Sequence, residues 1–481
     1  MQIAAVQRVL GALIAAYSVT MLVPAVVSMI YDDGQAGYFL DSFLVTFALG
    51  FVAWFPVRNS RQELRRREGF LIVALYWAIL SAVSTLPFHF SPHLDFTDAF
   101  FESVSGFTTT GATVIVGLDH LPKSILYYRA QLNWLGGMGI IVLAIAVLPM
   151  LRVGGMQLFR AETPGPMKDE KLTPRLEHTA RALWGIYVGL TVACVIAYWV
   201  AGMSFFDALC QGFATIATGG FSTHDASFAY WNSPWIDGVA DVFMFLSGMN
   251  FAVHYLALMR GSARPYFIDP EVRAYIGFVA ASILVVSLTL WYTKTYPTML
   301  TDLRYGAFQV LTVLTCCGFT SAPFNHWPLY LPVLLMLIPI VGGCAGSTAG
   351  GMKVVRVLLV VKQGFREMKR LNHPRAVVPV KLGRTVLPER VISAIWSFLA
   401  AYVLVYLVLM LALMGAGLDW VTAFSAVSAC INNMGPGLGS VFANFAGISE
   451  PAKWICSLAM LIGRLEVFTL LVLLTPMYWR S

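Results

Sequence analysis

Charge is what this chain has least of. Only 12% of its 481 residues are charged, while 58% are hydrophobic and the mean hydropathy is +0.72. Soluble domains carry about 25% charged and about 45–50% apolar residues, and no part of this chain reads as a separate soluble domain. Cysteine is sparse and shows no pairing pattern. Cys194, Cys210, Cys316, Cys317, Cys344, Cys430 and Cys456 have no CxxC spacing. This argues against a zinc or dithiol centre and predicts buried free thiols. Catalytic signatures are missing as well. There is no HExxH, no GxSxG and no carboxylate pair with metal or glycosidase spacing, so no enzyme is expected. No small-residue cleavage site follows the first apolar stretch, which predicts a retained helix and not a signal peptide.

What the chain does have is apolar runs of membrane-spanning length. Ten are read at 3–30, 38–57, 69–90, 130–151, 182–202, 235–260, 272–294, 328–361, 391–416 and 454–479. The basic residues orient them. Arg58, Arg61, Arg65, Arg66 and Arg67 fall in one loop, and Arg152, Arg160, Lys168, Lys171, Arg175 and Arg181 in another. Arg260, Arg264 and Arg273 crowd a third, and eight Lys or Arg residues between Lys362 and Arg390 a fourth. If ten helices alternate, all four loops, Arg8 and Arg480 lie on one side, which is cytoplasmic by the positive-inside rule. The opposite side begins with the acidic loop of Asp32, Asp33 and Asp41. The net charge of +7 is thereby a matter of membrane orientation and of a possible cytoplasmic partner, and no nucleic acid is expected.

Four long outer connections remain, at about 91–129, 203–234, 295–327 and 417–453. Each opens with an apolar stretch of about a dozen residues, too short to span and suited to a re-entrant half-helix. They align without a gap. Glu102, Gln211, Gln309 and Ala426 share one column, and Gly111, Gly220, Gly318 and Gly435 another. Isolated glycines are common at helix interfaces, but four in register mark an internal repeat. The fold class expected is an all-α polytopic membrane protein. Two extra N-terminal helices (1–60) precede four helix–pore loop–helix repeats at 61–160, 161–265, 266–385 and 386–481, arranged around one pore.

The residue types point to an ion path. A dehydrated cation needs replacement oxygens, and carbonyls of convergent loops supply them. Extended backbone is tolerated at membrane depth only where it lines a cavity or is buried in protein. The candidate lining residues are Thr109, Thr110 and Gly111; Thr218, Gly219 and Gly220; Cys316, Cys317 and Gly318; and Asn433, Met434 and Gly435. No carboxylate adjoins the glycines, which favours a monovalent cation. Met434 and Pro436 predict a less regular fourth strand. Glu102, Gln211 and Gln309 either hold the strands by hydrogen bonds or are satisfied polar groups of helix packing. His224 and Asp225 are read as caps of the following segment.

Two further features stand below the loops. Gly342, Gly343, Gly346, Gly350 and Gly351 interrupt the run 328–361, predicting an unwound segment that gates the path, or a passive kink. It is not a phosphate loop, because Met352 intervenes before Lys353. No such glycine break follows the other three loops. Arg464 lies near mid-span, where a charge costs about 2.5–3.5 kcal/mol or more. It is expected to face the pore as an electrostatic gate, or to pair with Glu466 or backbone carbonyls. Lys353 and Arg356 fit a cytoplasmic mouth or a partner contact. A proton- or sodium-coupled secondary transporter is the alternative, disfavoured because Asp241 and Glu466 are nearly the only acidic groups in the inner spans.

The segments Gly106-Phe-Thr-Thr-Thr-Gly-Ala-Thr113 and Ala217-Thr-Gly-Gly-Phe-Ser-Thr-His224 resemble the Trk/Ktr/HKT cation-transporter superfamily. Asn432-Asn-Met-Gly-Pro-Gly437, the two extra helices and the 342–351 segment resemble its TrkH branch. The resemblance covers essentially the whole chain. It implies a multi-pass potassium-uptake subunit of the bacterial inner membrane, with potassium as transported substrate and no organic cofactor. It also implies a homodimer with one pore per protomer, a cytoplasmic nucleotide-binding partner of the TrkA type, and transport by conduction or symport. In the family an arginine at the position of Arg464 stands at the pore constriction, and sodium-preferring relatives often carry serine where Gly111 stands here. Cys316 and Cys317 depart from the Thr109–Thr110 pattern, but carbonyls do not depend on side chain.

Overall fold

The structure, a computed structural model, describes residues 2–60, 66–91, 94–150, 173–383, 385–466, 473 and 475–479. Basic residues expected in loops at 61–65 and 151–172, Arg480, and most of the last span beyond Glu466 lie outside the described residues. Among the described residues the secondary structure is helical, apart from one antiparallel two-residue pair, Lys381–Leu382 with Thr385–Val386.

Six described helices are long and apolar enough to cross a membrane: Ile3–Tyr31, Ala36–Val57, Glu68–Phe90, Arg181–Val200, Pro270–Tyr292 and Glu389–Gly415. Only 17% of the most apolar window of Ala36–Val57, and 22% of that of Pro270–Tyr292, is buried inside the protein. Leaving such surface in water would cost about 25 cal/mol per Å², so hydrocarbon is its natural solvent. The other expected spans correspond to Lys123–Met150, to Leu331–Val341 followed by Val354–Asn372, and to Glu450–Arg464.

One span departs from the sequence reading. The run 235–260 is not a single helix: Pro234–Ser247 and Phe251–Arg260 meet at 95°. Hydropathy averages over the break, whereas the local chemistry makes it. Gly248 ends the first helix, and the Asn250 side chain caps the second by accepting the amide of Ala252 at 2.8 Å. A glycine break therefore follows the second loop as well as the third.

The four expected half-helices are Phe96–Phe107, Phe205–Ala217, Met299–Leu314 and Trp420–Ile431. Each is capped at its outer end by a side-chain oxygen, from Asp95, Ser204, Thr298 and Asp419 respectively. They are joined in a cycle. The inner helix of each repeat packs on the half-helix of the next: Lys123–Met150 on the second, Pro234–Ser247 on the third, Leu331–Val341 on the fourth, and Glu450–Arg464 back on the first. Polar ties follow the same order. Asn133 accepts the amide of Phe221 at 3.2 Å, Arg304 pairs with Asp237 at 2.7 Å, Ser428 donates to the Met336 carbonyl at 2.6 Å, and Lys453 pairs with Asp98 at 2.5 Å. The N-terminal helices stand outside this ring against the first repeat, where Asp33 accepts the amide of Ser124 at 2.9 Å and Gln131 donates to the Thr20 carbonyl at 2.8 Å.

Candidate ion-conducting site

The four half-helices end identically. The amides of Thr110, Gly219, Cys317 and Met434 each donate to the carbonyl five residues back, on Ser105, Ala214, Thr312 and Ala429, all at 2.8 Å. The residue before each of those amides is left-handed: Thr109 (φ 54°), Thr218 (52°), Cys316 (56°) and Asn433 (54°). This is a Schellman termination built four times without glycine at the left-handed position, at a cost of about 1–2 kcal/mol each. Two residues later Gly111, Gly220, Gly318 and Gly435 have φ of 82°, 73°, 86° and 98°. The fourth strand is thus as regular as the others, contrary to the expectation from Met434 and Pro436. The helix-end bonds set the geometry, and Pro436 comes one residue after the glycine.

The glycines close a ring. A Cβ on Gly111 would stand 2.6 Å from the Gly219 carbonyl oxygen, and one on Gly435 2.7 Å from that of Thr110. Likewise Gly220 abuts the carbonyl of Cys317 and Gly318 that of Met434. Each glycine so meets the carbonyl preceding the glycine of the next repeat, and the fourth meets the first. The twelve residues read as lining are therefore brought together, and an outer vestibule opens over all four glycines. The thiols of Cys316 and Cys317 are buried and leave the backbone unchanged; all seven cysteines are free and buried.

Side chains hold the strands from behind. The Glu102 carboxylate accepts from the Thr113 hydroxyl and the Val114 amide, each at 3.0 Å, and from Arg129 Nε at 2.8 Å. Gln211 donates to Ser222 Oγ at 2.9 Å and Gln309 to Ser321 Oγ at 3.4 Å. The fourth repeat has Ala426 in that column and shifts the tie by one residue: Ser425 Oγ accepts the Leu438 amide at 2.8 Å. His224 and Asp225 reach the first repeat, His224 meeting Asp119 and Asp225 accepting the Gly117 amide at 3.1 Å. The imidazole beside Asp119 holds that carboxyl below its ordinary range.

Beneath the ring, residues 342–353 are non-helical between Leu331–Val341 and Val354–Asn372. The two broken inner helices are stitched together: Cys344 donates its amide to the Gly248 carbonyl at 2.8 Å, and Phe251 donates to Gly346 at 3.1 Å. Thr348 Oγ1 donates to the Ile216 carbonyl at 3.0 Å, at the end of the second half-helix. The buried Glu271 carboxylate accepts the Ala345 amide at 2.6 Å. Gly350 abuts the Asn432 carbonyl, and Gly342 and Gly351 abut each other. Gly343 lies against Gly248 O, so all five glycines of the segment are packed and not splayed.

Arg464 resolves between its expected partners. Its guanidinium donates to two carbonyls, Thr348 of the unwound segment at 3.4 Å and Gly136 at 3.3 Å, and leaves Nε without a partner among the described residues. Glu466 pairs with Arg356 instead, at 2.6 Å. Arg356 also donates to the Met352 carbonyl at 3.3 Å and is buried, and the half-buried Lys353 donates to the Ala349 carbonyl. Sequence reasoning missed Arg129, Asn133, Ser425 and Glu271. Only Arg129 left a signal, a cation seven residues into a helix that must bury it.

The TrkH family of cation transport proteins matches residues 36–481. The chain is 53% identical to the Trk system potassium uptake protein TrkH of Salmonella typhimurium and 52% identical to that of Escherichia coli K12, with 100% of each chain covered. It is 40% identical to the Trk system potassium uptake protein TrkG of Escherichia coli K12, over 99% of this chain and 98% of that one. The crystal structure of the potassium transporter TrkH from Vibrio parahaemolyticus superposes with a TM-score of 0.93 at 49% identity, covering 100% of both chains.

Proposed function

The chain belongs to the TrkH family of cation transport proteins, and from that premise we propose that it takes up potassium through the ring of four strands. The carrying observation is the closed cycle of glycine–carbonyl contacts, from Gly111 to Gly219, Gly220 to Cys317, Gly318 to Met434 and Gly435 to Thr110. It supports the reading that carbonyl oxygens of four strands surround one path, as replacement for a hydration shell requires. The residues 109–111, 218–220, 316–318 and 433–435 bind the ion, supported by Glu102, Gln211 and Gln309.

The unwound segment 342–351 and Arg464 form the gate. Their mutual hydrogen bond, below the strands, supports this role. The protein works in the bacterial inner membrane with its N-terminus cytoplasmic, a reading supported by the basic loops. It acts as a homodimer under a nucleotide-binding subunit of the TrkA type; the names of the relatives, as parts of a Trk system, support a multi-component assembly. Purified protein in liposomes should pass rubidium, with potassium competing and sodium competing poorly. Equal competition by sodium and potassium would sink the potassium assignment.

A further inference from the structure

We propose that Arg129 is a positioning residue for ion selectivity, setting the spacing between the first and second strands of the ring from behind. The inference rests on the reading of those strands as the potassium filter. Arg129 is 1% exposed and Glu102 0%, and a buried cation needs a partner. Pairing alone would need only one contact. Instead all three nitrogens are engaged: Nε with Glu102 Oε1 at 2.8 Å, Nη1 with the Ser222 carbonyl at 2.9 Å, and Nη2 with Thr113 Oγ1 at 3.1 Å. The guanidinium also lies over the Phe221 ring, 4.2 Å from its centroid.

The partners are placed symmetrically. Thr113 follows Gly111 by two residues, and Ser222 follows Gly220 by two. The planar fork therefore bridges equivalent positions of adjacent strands. The ties that stand in place of Glu102 in the other repeats act differently. Gln211 bonds Ser222, Gln309 bonds Ser321 and Ser425 bonds Leu438, each within its own repeat. Arg129 reaches across the step of the ring where Gly111 meets Gly219. Held at that spacing, the carbonyls suit a larger cation and resist closing on a smaller one, whether size or dipole field dominates. Lysine keeps the charge but lacks the rigid fork, so substitution by lysine separates bridging from charge.

The test is rubidium uptake into liposomes by the full chain, with potassium or sodium as competitor. Arg129→Lys should make sodium compete about tenfold better relative to potassium, equivalent to about 1.4 kcal/mol. The rubidium concentration for half-maximal uptake should rise, and the maximal rate should change less. Thr113→Val, which exchanges one hydroxyl for a methyl, should shift the ratio in the same direction and serves as the readout if Arg129→Lys does not accumulate as folded protein. A merely structural role would lower yield or maximal rate and leave the ratio alone. A wild-type potassium-to-sodium ratio in whichever of these variants folds overturns the proposal. If wild type discriminates and Gly111→Ser loses discrimination while Arg129→Lys keeps it, only Arg129 is refuted. If wild type itself does not discriminate, the filter reading has failed.

Discussion

At the scale of single residues, two columns of the repeat have positive φ, and only one could be read in advance. The glycines at 111, 220, 318 and 435 stand out because nothing larger fits against a neighbouring carbonyl. The column of Thr109, Thr218, Cys316 and Asn433 has no residue type common to all four, and its left-handed geometry comes from helix-end bonds. Gly111→Ser would place a Cβ 2.6 Å from the Gly219 oxygen at φ 82°. The strand must shift, and potassium-over-sodium discrimination should fall by about tenfold, or ~1.4 kcal/mol, in the rubidium competition assay. Arg464→Ala removes a cation that donates to the unwound segment. Two like unit charges about 8 Å apart repel by about 2 kcal/mol at an effective dielectric near 20, so maximal rubidium flux should rise by roughly tenfold or more. Unchanged flux would remove the electrostatic gate.

Among the elements, the half-helices were legible because a dozen apolar residues between two spans have few other uses. The unwound segment was legible because five glycines in ten residues oppose a helix. What it rests on was not. Its supports are the break at Gly248–Asn250 and the carboxylate of Glu271, which are distant in sequence and meet it only after folding. Glu271 accepts the Ala345 amide and pins the segment toward the start of the Pro270–Tyr292 helix. Glu271→Ala should loosen that hold, raising rubidium flux severalfold, since one hydrogen bond is worth about 0.5–1.5 kcal/mol. Discrimination should stay as in wild type, because the residue does not touch the strands. A loss of discrimination with no gain in flux would show that Glu271 supports the filter and not the gate.

For the whole molecule, the order of contacts matters more than any one of them. Each inner helix supports the next half-helix, and the fourth returns to the first. The ring is fourfold in backbone and unequal in side chains: one step carries the Glu102–Arg129 pair, and two inner helices are broken while Lys123–Met150 is one continuous helix. Acidic groups within the inner spans are few, and Glu466 is neutralised by Arg356. The expected outcome is uptake driven by the ion's own electrochemical gradient. Rubidium flux into liposomes should be the same with and without an imposed proton gradient at equal membrane potential. Flux that requires the proton gradient would favour coupled transport.

The sequence by itself determined the solvent and the repeat, and it set the expected orientation. Apolar length, loop charge and the glycine column are local quantities, and each acts on the chain before it folds. Only the tertiary structure decided who holds what: Arg464 on carbonyls and not on Glu466, Arg129 across two strands, and a second helix break facing the first. Buried hydrogen-bonding groups take whichever partner the packing brings within about 3 Å. Between residues about ninety or more positions apart, that partner is set by the closure of the ring and not by the spacing along the chain.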